Sequence, residues 1–159
     1  MNTSTDSDFL TAAIRLAGQH MEAGDGGPFG AVMVHEGQVM GEGWNQVTRS
    51  NDPTAHAEIV AIRAAASKLG RFSLQGCTLY TSCEPCPMCL AAAYWARIDR
   101  LVYAASRDDA AAIGFDDAVI YQELALPIAS RSLPMQQLLR AEAVQVFAAW
   151  QRKPDKVPY

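Results

Sequence analysis

Four side chains in two short segments carry the chemistry open to this chain. His56 and Glu58 stand in Pro53-Thr54-Ala55-His56-Ala57-Glu58, and Cys86 and Cys89 stand in Glu84-Pro85-Cys86-Pro87-Met88-Cys89. One imidazole and two thiols are three ligands of the kind zinc takes in a tetrahedron, and a catalytic zinc keeps its fourth position for water. Glu58 is left over as an acid beside that position. Zinc brings the pKa of a bound water toward about 7, so the set can activate water at neutral pH while a carboxyl moves protons.

The spacing explains part of this and leaves part open. Cys86 and Cys89 are three apart, which on a helix puts them on one face. A helix start also favours thiolate over thiol through its unpaired N–H groups. His56 and Glu58, two apart, lie about 200° apart around an ideal helix, so both reach one ion only if the helix N-terminus points at it. A Cys-x-x-Cys pair alone is more often something other than a metal site, and a His-x-Glu alone is weaker still, since an exposed helix start often carries both. Cys83 extends the run and invites an iron–sulfur reading, but such clusters usually take four cysteines, and the spare, Cys77, opens a strand beyond a turn. A structural zinc staple is the non-enzymatic alternative; it normally closes with four ligands and has no use for Glu58. Cys83 reads as a small buried residue at a strand end, and His20 and His35 as surface residues.

Positioning these groups needs an α/β framework. Phe9 to Glu22 has a helical apolar stripe, with Asp6 or Ser7 as its cap. Gly24, Gly26, Gly27 and Pro28 break the chain. Phe29 to His35 and Gln38 to Asn45 form a hairpin. Arg49 to Pro53 reads as a polar loop, and His56 to Leu69 as a helix closed by Gly70. Cys77 to Ser82 is a strand and Pro87 to Arg97 a helix with proline in its first turn. Arg100 to Ala105 is a strand. Arg107 to Ala112, Asp116 to Leu124 and Ala141 to Arg152 read as helices, and Met135 to Arg140 as a weak fifth strand. The order predicts one domain over residues 1–159, a three-layer α/β/α sandwich around a five-stranded mixed sheet.

At 159 residues the chain buries roughly 70% of its unfolded surface, enough for a core without disulfides. The net charge of −4 argues against a protein that tracks nucleic acid, which needs a basic face, and favours a small-molecule substrate. The polar, acidic stretch Met1 to Asp8 has no basic region followed by an apolar run, so no signal peptide is expected, and no apolar run reaches the roughly 18 residues of a membrane span. Three cysteines within seven residues suit a metal better than disulfides, and a reducing cytoplasm is the expected location.

The order His-x-Glu followed by Pro-Cys-x-x-Cys is the signature of the zinc nucleobase deaminases, and the chain resembles the cytidine deaminase-like superfamily. Within it, nearly the whole chain resembles bacterial guanine deaminases, through Gly26-Gly27-Pro28-Phe29-Gly30-Ala31-Val32, Ser50 to Glu58, Tyr80 to Cys89, Tyr94-Trp95-Ala96-Arg97, Gly114-Phe115-Asp116-Asp117 and a terminal tyrosine. The resemblance implies zinc held by His56, Cys86 and Cys89, Glu58 as the catalytic acid–base, and conversion of guanine to xanthine. It implies that Asn45 and Ala57 bind the purine, that Phe29 stacks on it and Trp95 lines its pocket. Asp117 becomes a second acid and Tyr159 a lid. It also implies a homodimer with a segment of about 115–159 exchanged, which allows Asp117 and Tyr159 to come from the partner. The residues alone allow plainer roles: a turn for Asn45, core for Phe29 and Trp95, a helix cap for Asp117, a frayed end for Tyr159. Gly41-Glu42-Gly43-Trp44-Asn45 also resembles tRNA adenosine deaminases. The acidic charge, the Gly114 to Asp117 segment and the lack of a basic C-terminal helix argue against that family, and a cytosine deaminase is the third reading.

Overall fold

The computed structural model describes residues 5–159, and its contacts divide into two compact units, Met1–Asp117 and Ala118–Tyr159. The first unit is built on a mixed sheet of four strands in the order β2-β1-β3-β4. Strand β1 (Gly30–His35) pairs antiparallel with β2 (Gln38–Trp44) and with β3 (Cys77–Cys83), while β3 runs parallel to β4 (Arg100–Ala105).

Alternation along β1 makes the layers. Val32 and Val34, with Tyr80 from β3, face α1 (Asp6–Glu22) and pack on Ala13 and Leu16. Ala31 and Met33, with Cys77 and Leu79, face the other way onto Ala57, Ala61 and Ala65 of α3 (Ala57–Leu69). A strand buried on both faces is why residues 30–34 are apolar throughout instead of alternating. Helix α1 starts earlier than its apolar stripe. Thr5 is the cap, not Asp6 or Ser7, because Thr5 and Asp8 bond reciprocally to each other's backbone N–H. Tyr80 donates its hydroxyl to Asp6 at 2.7 Å and Arg100 pairs with the same carboxylate, pinning the start of α1 to β3 and β4.

Helix α3 sits close to the sheet because β2 offers it glycine. A Cβ on Gly43 would lie 2.1 Å from the Ala57 carbonyl oxygen and 2.7 Å from the Ala61 nitrogen. Both neighbours are backbone, so the helix start would have to move. Gly43→Ala is therefore expected to cost about 1–3 kcal/mol, the usual range for overpacking. It should also weaken zinc retention, because Ala57 lies between His56 and Glu58. Thermal melts and zinc content check this; a variant with an unchanged melting temperature and full zinc would show that the close approach is not needed.

A one-turn helix, α2 (Val47–Ser50), occupies part of the expected loop, followed by Asn51 in the left-handed region at φ 52°. Helix α4 (Pro87–Trp95) follows β3, and α5 (Arg107–Ala112) follows β4. The second unit, taken by itself, holds α6 (Ala118–Ala125), a 3-10 turn at Ile128–Ser130 and α7 (Arg140–Arg152). The expected fifth strand, Met135 to Arg140, is not a strand. It has no β-branched residue to favour the extended state, and Leu139 turns at φ 53° to start α7. No residue from 118 to 159 is buried. Among the described residues no helix is long and apolar enough to cross a membrane.

Candidate active site

Two helix starts converge on one point. His56 is the N-cap of α3 with φ −70° and ψ 155°, and Cys86 is the N-cap of α4 with φ −64° and ψ 167°. Both are extended, so the helical arithmetic of the sequence does not apply to either residue. The imidazole leaves the chain before the helix begins, and Glu58 follows in the first turn, which removes the 200° difficulty. Pro87 at the first position of α4 suits this geometry: its fixed φ starts the helix and it forfeits an N–H that has no partner there. Cys89 then lies in the first turn, fully buried.

The three donor atoms fit a zinc ion. Cys86 Sγ is 3.6 Å from His56 Nδ1, and the ligand atoms of His56, Cys86 and Cys89 all lie within 4.8 Å of one another. Tetrahedral bonds of ordinary zinc–sulfur and zinc–nitrogen length place such atoms about 3.6–3.8 Å apart. The electrostatics agree. The Cys89 thiol, and after it the His56 ring, hold the Cys86 thiol down to about 4. Cys86 raises the pKa of His56 in return, and the Cys86 thiolate together with burial pushes Cys89 up. The trio is a cluster of groups competing for protons, which a bound dication would displace, taking both sulfurs as thiolates. Glu58 is only 8% exposed, and burial raises its carboxyl pKa.

The residues expected to bind the purine make contacts of their own. Asn45, 7% exposed, accepts from the Gly27 and Val47 N–H groups at 3.3 Å each, both on Oδ1. Its amide hydrogens remain for other partners. Gly26 presses on the Asn45 backbone so closely that a Cβ there would fall 1.9 Å from the carbonyl oxygen. Phe29 meets Phe115 edge-on with centroids 4.9 Å apart. Asp117 is half-buried; burial raises its pKa, and the charge of Cys86 in the same chain adds to the effect. Ala57 is buried as the first residue of α3, where a backbone N–H has no acceptor within the helix.

A family model described as the cytidine and deoxycytidylate deaminase zinc-binding region matches residues 3–105. The chain belongs to this zinc-dependent deaminase family. It is 52% identical over 151 residues to the guanine deaminase of Bacillus subtilis (strain 168), covering 95% of this chain and 97% of that one. The X-ray structure of guanine deaminase from Bacillus subtilis matches with a TM-score of 0.96 at 50% identity, covering 98% of this chain and 99% of that one. The tRNA-specific adenosine deaminase of Haemophilus influenzae is 42% identical over 118 residues, covering 70% of this chain and 68% of its own.

Trp95 and Tyr159, the other two expected site residues of the deaminase, are both exposed. Trp95 ends α4, about 13 Å along the axis from Cys86 at 1.5 Å per residue. It is exposed and borders an open dent with Ala91, Tyr94 and Arg97. Tyr159 ends the second unit, exposed. The two histidines read as surface residues are both half-buried and engaged. His35 Nδ1 lies 3.1 Å from the Gly76 carbonyl. His20 stacks on Trp44 and bonds Asp25. No periodicity in the sequence announces either, because each partner arrives from a different segment.

Proposed function

We propose that this zinc deaminase converts guanine and water to xanthine and ammonia, using one zinc ion per subunit held by His56, Cys86 and Cys89. The observation that carries the reading is a buried carboxyl, Glu58, beside a three-ligand zinc cluster, in a chain that matches a guanine deaminase over nearly its whole length. Bound there, zinc supplies Lewis acidity and brings the pKa of a coordinated water toward about 7. Glu58 takes the proton of the attacking water, passes it to the ring nitrogen beside the reacting carbon, and then serves the departing amine. A carboxyl shielded from solvent holds a proton more readily than an exposed one, which suits it to return the proton. Asn45 offers its amide hydrogens and Ala57 its backbone N–H to acceptor atoms of the purine. Phe29 packs on the ring, and Asp117 is the second acid, which grips the amine.

The tRNA reading has less support, because that relative leaves almost a third of the chain uncovered and the net charge is −4. An ammonia-release scan over free bases, nucleosides and a tRNA anticodon stem-loop separates the two. Guanine alone should be turned over; activity on adenosine in RNA without activity on guanine would reverse the assignment. Free cysteines at all four positions support a reducing, cytoplasmic setting.

The enzyme is further proposed to be a homodimer that exchanges its C-terminal segment. Helices α6 and α7 expose Val119, Ile120, Leu124 and Phe147, and large apolar side chains exposed along one segment suit an interface. In that dimer Tyr159 closes the purine site, and Trp95 lines it. Deleting Pro158 and Tyr159 should lower kcat/KM for guanine about tenfold, or about 1.4 kcal/mol, with zinc unchanged. Steady-state kinetics check this; wild-type values would remove the lid.

A further inference from the structure

Asn45 is held by two backbone donors, and side chains with no part in the chemistry above tie together the segments that carry those donors. Gly27 and Val47 donate to Asn45 Oδ1. Asp25, two residues before Gly27, meets Arg49, two residues after Val47, with Asp25 Oδ1 2.6 Å from Arg49 Nη1. The other Asp25 oxygen lies 2.7 Å from His20 Nδ1 in the last turn of α1. The His20 ring lies flat on the indole of Trp44, with centroids 3.7 Å apart and planes 3° from parallel. Trp44 is the residue before Asn45. The chain of contacts runs from β2 to α1, through the glycine loop to α2, and closes around Asn45.

We propose that His20, Trp44, Asp25 and Arg49 form a clasp that sets the direction of the Asn45 amide, and so act as positioning residues for purine binding. This rests on the reading that Asn45 contacts the purine. The physical reason lies in the amide itself. The terminal torsion of asparagine has broad, roughly two-fold wells, so an unpinned amide turns over and offers its oxygen where the purine needs a hydrogen. With Oδ1 occupied on both sides, the N–H groups keep one direction. The two inner partners are well covered, with side chains of Asp25 and His20 21% and 25% exposed, whereas Arg49 is 60% exposed. The inner part of the clasp is therefore less screened than an ordinary surface pair. A contact made equally in the ground state and the transition state appears in KM and leaves kcat alone.

The test is a double-mutant cycle on the zinc-loaded enzyme with guanine. Asp25→Ala should raise KM about fivefold, the equivalent of about 1 kcal/mol, with kcat within about twofold and zinc content unchanged. Adding Asp25→Ala to Asn45→Ala should change nothing further. Where Asn45→Ala is too slow for kinetics, calorimetric binding of xanthine reads the same cycle. Arg49→Ala repeats the comparison should Asp25→Ala fail to fold. Arg49→Lys should restore KM, because Arg49 meets Asp25 through one nitrogen. No change in KM, or an equal penalty in both Asn45 backgrounds, overturns the clasp. A wild-type KM for Asn45→Ala would instead overturn the purine contact on which it rests.

Discussion

Glu58→Gln should keep a full complement of zinc and lose about 10²- to 10⁴-fold in kcat, the range expected when a positioned general acid–base is removed. The substitution preserves size and the hydrogen-bonding outline, and Glu58 is not among the three residues whose donor atoms cluster. What it removes is the ability to take a proton from water and give it up again. Among the described residues Glu58 is the one buried acid; Asp117 is half-buried and lies in a different segment, after α5. KM should change little, because the purine contacts proposed above lie on Asn45, Ala57 and Phe29. Metal analysis and guanine kinetics on the same preparation check both halves. A variant with full turnover would remove Glu58 from the chemistry, and one that lost zinc would make it a ligand instead.

Cys89→Ala should abolish turnover and the capacity to hold zinc. Cys89 is fully buried in the first turn of α4, and the other two ligands cap different helices. An ion held by these three residues would join α3 to α4 as well as supply an activated water. Binding to the folded state alone stabilises it by about 4 kcal/mol at a free concentration near a thousand times Kd. For a chain of this length that is about 10 °C of melting temperature. Stripping zinc from the wild type with a strong chelator should lower the melting temperature by about that amount, and re-adding zinc should restore both stability and turnover. The Cys89→Ala protein should respond to neither treatment. Stoichiometric zinc in that variant, or a stripped wild type that melts where the loaded one does, would contradict the site.

Much of this was legible in the residue order because its strongest signals are local. A glycine at a helix end marked Gly70, a proline in a first turn marked Pro87, and an unbroken apolar run marked β1; each appears where expected. The failures are those of non-local information. Helical spacing suggested that Cys86 and Cys89 share a helix face and that His56 and Glu58 point apart, yet His56 and Cys86 are caps with extended backbone, so the period of the helix never governed them. The strand expected at Met135 to Arg140 lay in a segment that buries nothing, where no packed face enforces a pattern. The clasp of His20, Trp44, Asp25 and Arg49 draws on three elements and a loop, and a histidine near a helix end looks the same in sequence with or without a partner.

The central claim is that three side chains grip one zinc ion and leave a single position for solvent. X-ray absorption at the zinc edge of the purified enzyme reads this directly. Two sulfur neighbours at about 2.3 Å, one imidazole nitrogen at about 2.0–2.1 Å and one further oxygen, at one zinc per chain, are the expected result. A third sulfur or any other fourth protein ligand, or protein that purifies without zinc and cannot be loaded with it, would contradict the account.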